Sequence, residues 1–327
     1  MEKDKKVSNL KSTLEAFIEE ACENIRKEAA GLPVLCALSG GVDSAVCAVM
    51  THRAVGNQLT CLFVDTGFMR KNEGNLVTAL FRDTYSINLI RVDAEERFLA
   101  KLKGVTDPER KRIIIGEEFI RIFEEEAKKL GKVGCLVQGT IYPDIMESGA
   151  DGHKQVKAHH NVGGMPPDIK FEAVIEPLKM LYKEEVRECG RKLGMPEVFV
   201  NRQPFPGPGL AVRCLGELSK PKLDMLREAD AIFCEEIEKS GLQKEVQQYF
   251  AVLPSIQTVG VRNGKRCYEE TIALRAVMTK DFLVAAPARL PMELIETAAR
   301  RITSEVKGVN RVLLDVTPKP PATVEWE

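Results

Sequence analysis

Strand-sized apolar runs alternating with helical patterns constrain this chain more than any other feature. Val34–Leu38 is the first such run, and residues 59–64, 89–92 and 135–137 repeat it. Between them, apolar residues recur at helical spacing. Residues 10–30 place Leu14, Phe17, Ile18, Ala21 and Ile25 on one face, and residues 45–53 form a second helix. A longer helix opens at Asp107-Pro108, with Asp as N-cap and Pro in the first turn, and stops at Gly131. Its apolar face reads Ile113, Ile120, Phe123, Ala127 and Leu130. The pattern predicts an α/β fold built on a parallel sheet covered on both faces. Ligands of such sheets sit at the carboxyl ends of the strands.

The pattern changes at Pro204-Phe205-Pro206-Gly207-Pro208-Gly209, which is too rich in Pro and Gly for a helix or a central strand. This stiff connector is the expected boundary between a domain at 1–203 and another at 204–327. Beyond it come a helix near 222–239, strand-like runs at 256–261 and 271–277, a helix at 291–306 and a strand at 309–316. That order reads as a smaller α+β domain. A chain of 327 residues with 44% hydrophobic content can bury two cores.

Charge and cysteine usage narrow the function. With 47 basic and 48 acidic residues and a net charge of −1, the chain suits neither a nucleic-acid coat nor adsorption to a membrane. No apolar run approaches the length of a membrane span, and the start, Met1-Glu2-Lys3-Asp4-Lys5-Lys6, has no signal-peptide pattern. The nine cysteines are scattered without a CxxC pair, which predicts reduced thiols in a cytoplasmic protein rather than a zinc or redox site.

The strongest motif is Leu38-Ser39-Gly40-Gly41-Val42-Asp43-Ser44, set between an apolar strand and a helix that begins near Ala45. The two glycines let the backbone turn sharply and approach an anion closely. The loop N–H groups and the helix N-terminus then point at that anion, and Ser39 and Ser44 add hydroxyls. Asp43 is out of place in an anion site unless it faces a cation, so it is assigned to Mg²⁺ held with phosphates. The GKS or GKT ending of a Walker loop is absent. An ordinary glycine turn is the alternative, and the strand–loop–helix setting favours phosphate binding.

Asp65, at the end of the second strand, suits either a ribose or adenine contact or a turn. In Gln138-Gly139-Thr140-Ile141-Tyr142-Pro143-Asp144-Ile145-Met146-Glu147-Ser148, a helix starting near Pro143 puts Asp144 and Glu147 on one face. They suit a shared Mg²⁺, or the positive end of the helix alone. Lys157-Ala158-His159-His160-Asn161-Val162-Gly163-Gly164 reads as a Gly-hinged lid or as a solvated loop. Adjacent histidines diverge in direction, so a metal pair is not expected there.

The phosphate loop resembles that of the ATP pyrophosphatases, which cleave ATP between the α- and β-phosphates. The chain from about residue 30 onward is similar to GMP synthases. The likeness runs through the segments above and through Glu176-Pro177-Leu178, Lys183-Glu184-Glu185-Val186-Arg187, residues 204–210 and the final Lys319-Pro320-Pro321-Ala322-Thr323-Val324-Glu325-Trp326-Glu327. The resemblance implies an adenine-nucleotide α-hydrolase-like domain that adenylates xanthosine monophosphate (XMP) with ATP. Ammonia then displaces AMP to give GMP. It implies that Ser39, Gly40, Gly41, Val42, Asp43, Ser44, Ala45 and Asp65 bind ATP. Asp43, Asp144 and Glu147 would hold Mg²⁺, and Lys157 would be catalytic in a lid with His159 and His160. Arg112, Lys319 and Glu325 would bind XMP. It further implies a homodimer through the second domain. Residues 1–33 precede the first strand, so the chain resembles either the two-subunit form of the enzyme, with a glutamine amidotransferase supplying ammonia from a separate chain, or an excised synthetase domain. Three positions depart from the family pattern: Gln203 for a histidine, Arg262-Asn263-Gly264-Lys265 for a segment carrying an Asp, and Pro318 for a glycine. The alternatives are another ATP pyrophosphatase, such as a tRNA thiolase or an NAD synthetase, and a nucleotide-binding module without catalysis.

Overall fold

The computed structural model describes residues 2–131, 133–149, 171–279 and 283–327, with backbone alone for 2–12 and 147–149. The chain divides into two compact units. The first comprises Met1–Thr66, Glu73–Ala94 and Gly116–Arg202, and the second comprises Gly67–Asn72, Glu95–Ile115 and Gln203–Glu327.

In the first unit, β1 (Val34–Leu38), β2 (Leu59–Asp65), β3 (Asn88–Asp93), β4 (Cys135–Val137) and β5 (Ala173–Ile175) form one sheet in the order β3-β2-β1-β4-β5. All four pairings are parallel. The strands are apolar along most of their length because such a sheet is covered on both faces. The helix Glu2–Ala29 buries Ile18, Cys22 and Ile25, and the helix Val42–Val55 buries every residue from Ala45 to Thr51. The strand order reverses direction between β1 and β4, which opens a crevice at their carboxyl ends.

The helix Pro108–Lys129 begins as its sequence predicts. Asp107 caps it by accepting the Arg110 N–H at 2.8 Å, and Gly131 ends it at φ +78°. Its buried face, however, runs through Ile115, Phe119, Ile122, Phe123 and Ala127, while Ile113 is 41% exposed.

The second unit is a mixed sheet around one long strand. β8 (Lys265–Thr279) pairs antiparallel with β6 (Gln248–Val252), β7 (Gln257–Arg262) and β9 (Ala285–Pro287), and parallel with β10 (Val309–Asp315). Asn263 and Gly264 both take positive φ, +49° and +74°, and close β7 onto β8 as a two-residue hairpin. The helices Lys220–Lys239 and Met292–Glu305 pack on the sheet and on each other. Val324, near the chain end, joins the core formed by Phe250, Val252, Ala273, Val277 and Ala285. The α/β fold with a smaller α+β unit is therefore the observed architecture. No helix among the described residues is long and apolar enough to cross a membrane.

Candidate functional site

The loop Ser39–Ser44 leaves β1 and enters the helix Val42–Val55 in the crevice of the first unit. Gly40 sits at φ +80°, where a side chain is disfavoured. Ser39 and Ser44 hold the turn closed: their hydroxyls lie 3.1 Å apart, Ser44 donates to the Gly41 carbonyl at 3.1 Å, and the Gly41 N–H donates to the Ser39 hydroxyl at 3.3 Å. Val42 and Ala45 are buried at 4% and 2% exposure, and the Ala45 N–H is committed to the Gly41 carbonyl at 3.1 Å, so Ala45 shapes the loop without donating to an anion. The loop also needs room on its β4 side. A Cβ on Gly139 would lie 3.0 Å from the Ser44 nitrogen and from the Asp43 carbonyl carbon.

Asp43 carries the most informative geometry. Its Oδ2 accepts from the Lys183 ammonium at 2.5 Å, while its Oδ1 is buried and has no hydrogen-bond partner among the described residues. A buried carboxylate oxygen without a donor is costly unless a cation or donor arrives, so the group fits Mg²⁺. Lys183 opens the helix Lys183–Lys192 and brings a cation to the loop that periodicity did not single out. Arg202 donates to the Gly40 carbonyl and pairs with the buried Glu73, which fastens the loop from another side.

The other acids are more committed. Asp144 lies in the helix Tyr142–Gly149, and its Oδ2 accepts the Ile141 N–H at 3.0 Å. One oxygen therefore serves the helix N-terminus. Glu147 belongs to the same helix by its backbone. Lys157, His159 and His160, the residues of the expected lid, lie outside the described residues. Among the described residues, no group of three or more His, Cys, Asp or Glu side chains is arranged for a metal. Asp65 is held by Arg91, whose Nη2 donates to its Oδ2 at 2.8 Å, while the other guanidinium nitrogens reach Asp93 and Asn75. A Cβ on Gly74 would come within 2.3 Å of that same Asp65 oxygen.

In the second unit, Arg112 and the chain end come together. Arg112 donates to the main-chain oxygen of Glu327. Glu325 accepts from Arg213 Nε at 3.0 Å and Nη2 at 2.8 Å, and from Gln248 Nε2 at 3.0 Å. Arg213 is fully buried with its guanidinium over the Phe250 ring at 3.9 Å. Lys319 exchanges backbone hydrogen bonds with Ala285 at 2.8 and 3.0 Å, which ties the tail to β9. Gln203 accepts the Tyr249 N–H at 2.8 Å. The fully buried Arg213 and Arg275 stand alone in apolar stretches, Leu210-Ala211-Val212-Arg213-Cys214-Leu215 and Ile272-Ala273-Leu274-Arg275-Ala276-Val277. A lone cation in such a run was the available signal for a buried anchor.

Residues 235–326 match the GMP synthase C terminal domain family. The chain is 59% identical over 312 residues to the glutamine-hydrolyzing GMP synthase of Acetivibrio thermocellus, and 58% identical over 323 residues to that of Clostridium botulinum. Those matches cover 95% and 98% of this chain, which spans 61% and 63% of the length of the two relatives. A solved NMN synthetase from Francisella tularensis matches 60% of this chain and 77% of its own, at 16% identity and a TM-score of 0.46. Through nearly all of its residues the chain is similar to these GMP synthases, of which it matches the portion that includes the C-terminal domain.

Proposed function

We propose that this chain aminates XMP to GMP at the expense of ATP. The single observation that carries the reading is the Ser39–Ser44 loop at the carboxyl end of β1, with the partnerless Asp43 oxygen and the Lys183 ammonium beside it. The 58–59% identity to GMP synthases supports the choice of substrate. In this reading the 2-oxo oxygen of XMP attacks the α-phosphorus of ATP and pyrophosphate leaves. Ammonia then adds at C2, AMP departs with that oxygen, and a proton is lost.

Each step asks something definite of the residues. The loop N–H groups, the serine hydroxyls and Lys183 take up charge that grows on the leaving pyrophosphate, and they do so without reorganising. Asp43, with Asp144 and Glu147, would hold Mg²⁺. Bound there, the ion neutralises phosphate charge. Lys157, His159 and His160 would cover the adenylate and exclude water. Arg112, Lys319 and Glu325 would bind XMP, and a separate glutamine amidotransferase would supply the ammonia.

Incubation with XMP, ATP, Mg²⁺ and ammonium, followed by chromatography, should yield GMP, AMP and pyrophosphate in equal amounts. Release of pyrophosphate only when the deamido precursor of NAD replaces XMP would point to an NAD synthetase instead. No turnover of either nucleotide would leave a binding module.

The homodimer belongs to the same proposal. Val259 and Tyr268 face each other across the β7–β8 hairpin, and with Val261 they are 49%, 68% and 71% exposed. Such an apolar face suits a second copy. Sedimentation should give twice the chain mass of 36.4 kDa, and a species of single mass at micromolar concentration would refute the dimer.

A further inference from the structure

Lys111 is a fully buried lysine with all three of its donors spent inside the second unit. Its ammonium donates to the Ala211 carbonyl at 3.3 Å, the Cys214 carbonyl at 2.9 Å and Glu327 Oε2 at 2.5 Å. The other Glu327 oxygen accepts the Gly216 N–H at 3.2 Å, and that side chain is only 8% exposed. Two residues earlier, Glu325 takes the buried Arg213 in the same way. Trp326, between them, donates to Asp315 Oδ2 at 3.0 Å.

We infer that the Lys111–Glu327 pair is a positioning device: it fixes the register of the tail and thereby aims Glu325 at the XMP nucleotide. The inference rests on the proposed role of Glu325 in binding XMP. A slip of one residue would strip Lys111 of Glu327 and Arg213 of Glu325 together, leaving two buried cations without their carboxylates. Unpaired buried charge is among the most costly defects a fold can carry, so the register is held from two points.

The gain is the orientation of one acceptor. A carboxylate offers about four lone-pair positions. Glu325 Oε1 uses two of its positions on Arg213 and Gln248, and Oε2 uses one on Arg213. Among the described residues Oε2 keeps one position open for an N–H or O–H of the ligand. Arg112 reaches the same terminal residue through its main-chain oxygen, so the helix turn carrying Lys111 and Arg112 sets the tail and the second XMP contact at once.

The test compares Lys111→Met and Glu327→Gln with the unaltered chain. Calorimetric XMP affinity, the KM values for XMP and ATP, and acrylamide quenching of Trp326, the only tryptophan, are the readouts. The expected result is an XMP affinity weakened by about tenfold or more in Lys111→Met, the scale of loss that follows from a misplaced ligand group. The ATP KM should stay within about twofold, and Trp326 should become easier to quench. Glu327→Gln, which keeps a hydrogen bond to Lys111 and is the variant more certain to fold, should show a smaller change of the same kind. Unchanged XMP affinity in both folded variants overturns the inference alone, as does a parallel rise in both KM values. Failure of the unaltered chain to bind XMP overturns the proposed function, and this inference with it.

Discussion

Asp43→Asn should lower GMP formation by about 10²–10³, the usual loss when one preset electrostatic group of an active site is removed. It should also raise the Mg²⁺ concentration needed for half-maximal rate. Two roles for Asp43 are visible, and this variant with Lys183→Met separates them. Through Oδ2 it holds the Lys183 ammonium, and through Oδ1 it offers a buried acceptor with no partner. If holding Lys183 were its whole purpose, both variants would lose activity equally and neither would change the Mg²⁺ requirement. If Oδ1 is a metal ligand, only Asp43→Asn shifts the Mg²⁺ titration, while Lys183→Met weakens ATP binding at every Mg²⁺ concentration. The fold should survive either change. The two side chains are 27% and 39% exposed, and partly exposed ion pairs are worth no more than about 1 kcal/mol. A normal Mg²⁺ titration in Asp43→Asn would remove the ion from this carboxylate.

How far the sequence disclosed this site depends on the distance between the residues concerned. β1 to β4, the phosphate loop and the capped helix start at Asp107 were legible, because each is written in consecutive residues. β5 and β6 were not read. Ala173–Ile175 has only three residues, and Gln248–Val252 is buried at every position without alternation to mark it. Asn263-Gly264 is legible in the sequence, since that pair is the strongest short hairpin signal and it closes β7 onto β8. The helical face of Pro108–Lys129 was misjudged at Ile113 because Lys111, a charged residue, holds a fully buried position of that helix. Lys183 on Asp43 joins residues 140 apart in sequence, and Lys111 on Glu327 joins residues 216 apart. No local pattern records such pairings. Asp144 shows a different limit. Both of its readings, helix end and metal, were open in the sequence, and the structure assigns one oxygen to the helix without closing the other reading.

Removal of residues 319–327 should abolish GMP formation, a loss of more than about 10³, while leaving ATP binding intact. The tail is structural and functional at once, so the two effects must be separated. Deletion takes Val324 out of the core around Phe250 and Val277. It strips Arg213 of Glu325 and Lys111 of Glu327, and it costs Arg275 the carbonyls of Thr323 and Val324. Each buried charge that loses its partner costs about 3–5 kcal/mol, against a total stability of about 5–15 kcal/mol for a typical domain. The second unit of the truncated chain should therefore melt early or not fold. The loop 39–44 and the groups that fasten it, Lys183 and Arg202, belong to the first unit and lose nothing. ATP affinity is thus the control that the deletion should spare. Lys319→Ala isolates the functional half of the argument, because Lys319 is tied to Ala285 by its backbone and truncating its side chain keeps those bonds. Its melting temperature should be near that of the unaltered chain, with the XMP KM raised by about tenfold and the ATP KM little changed. Calorimetry decides the matter: a truncated chain that binds XMP as tightly as the intact one would make the tail a structural strap with no part in recognising the nucleotide.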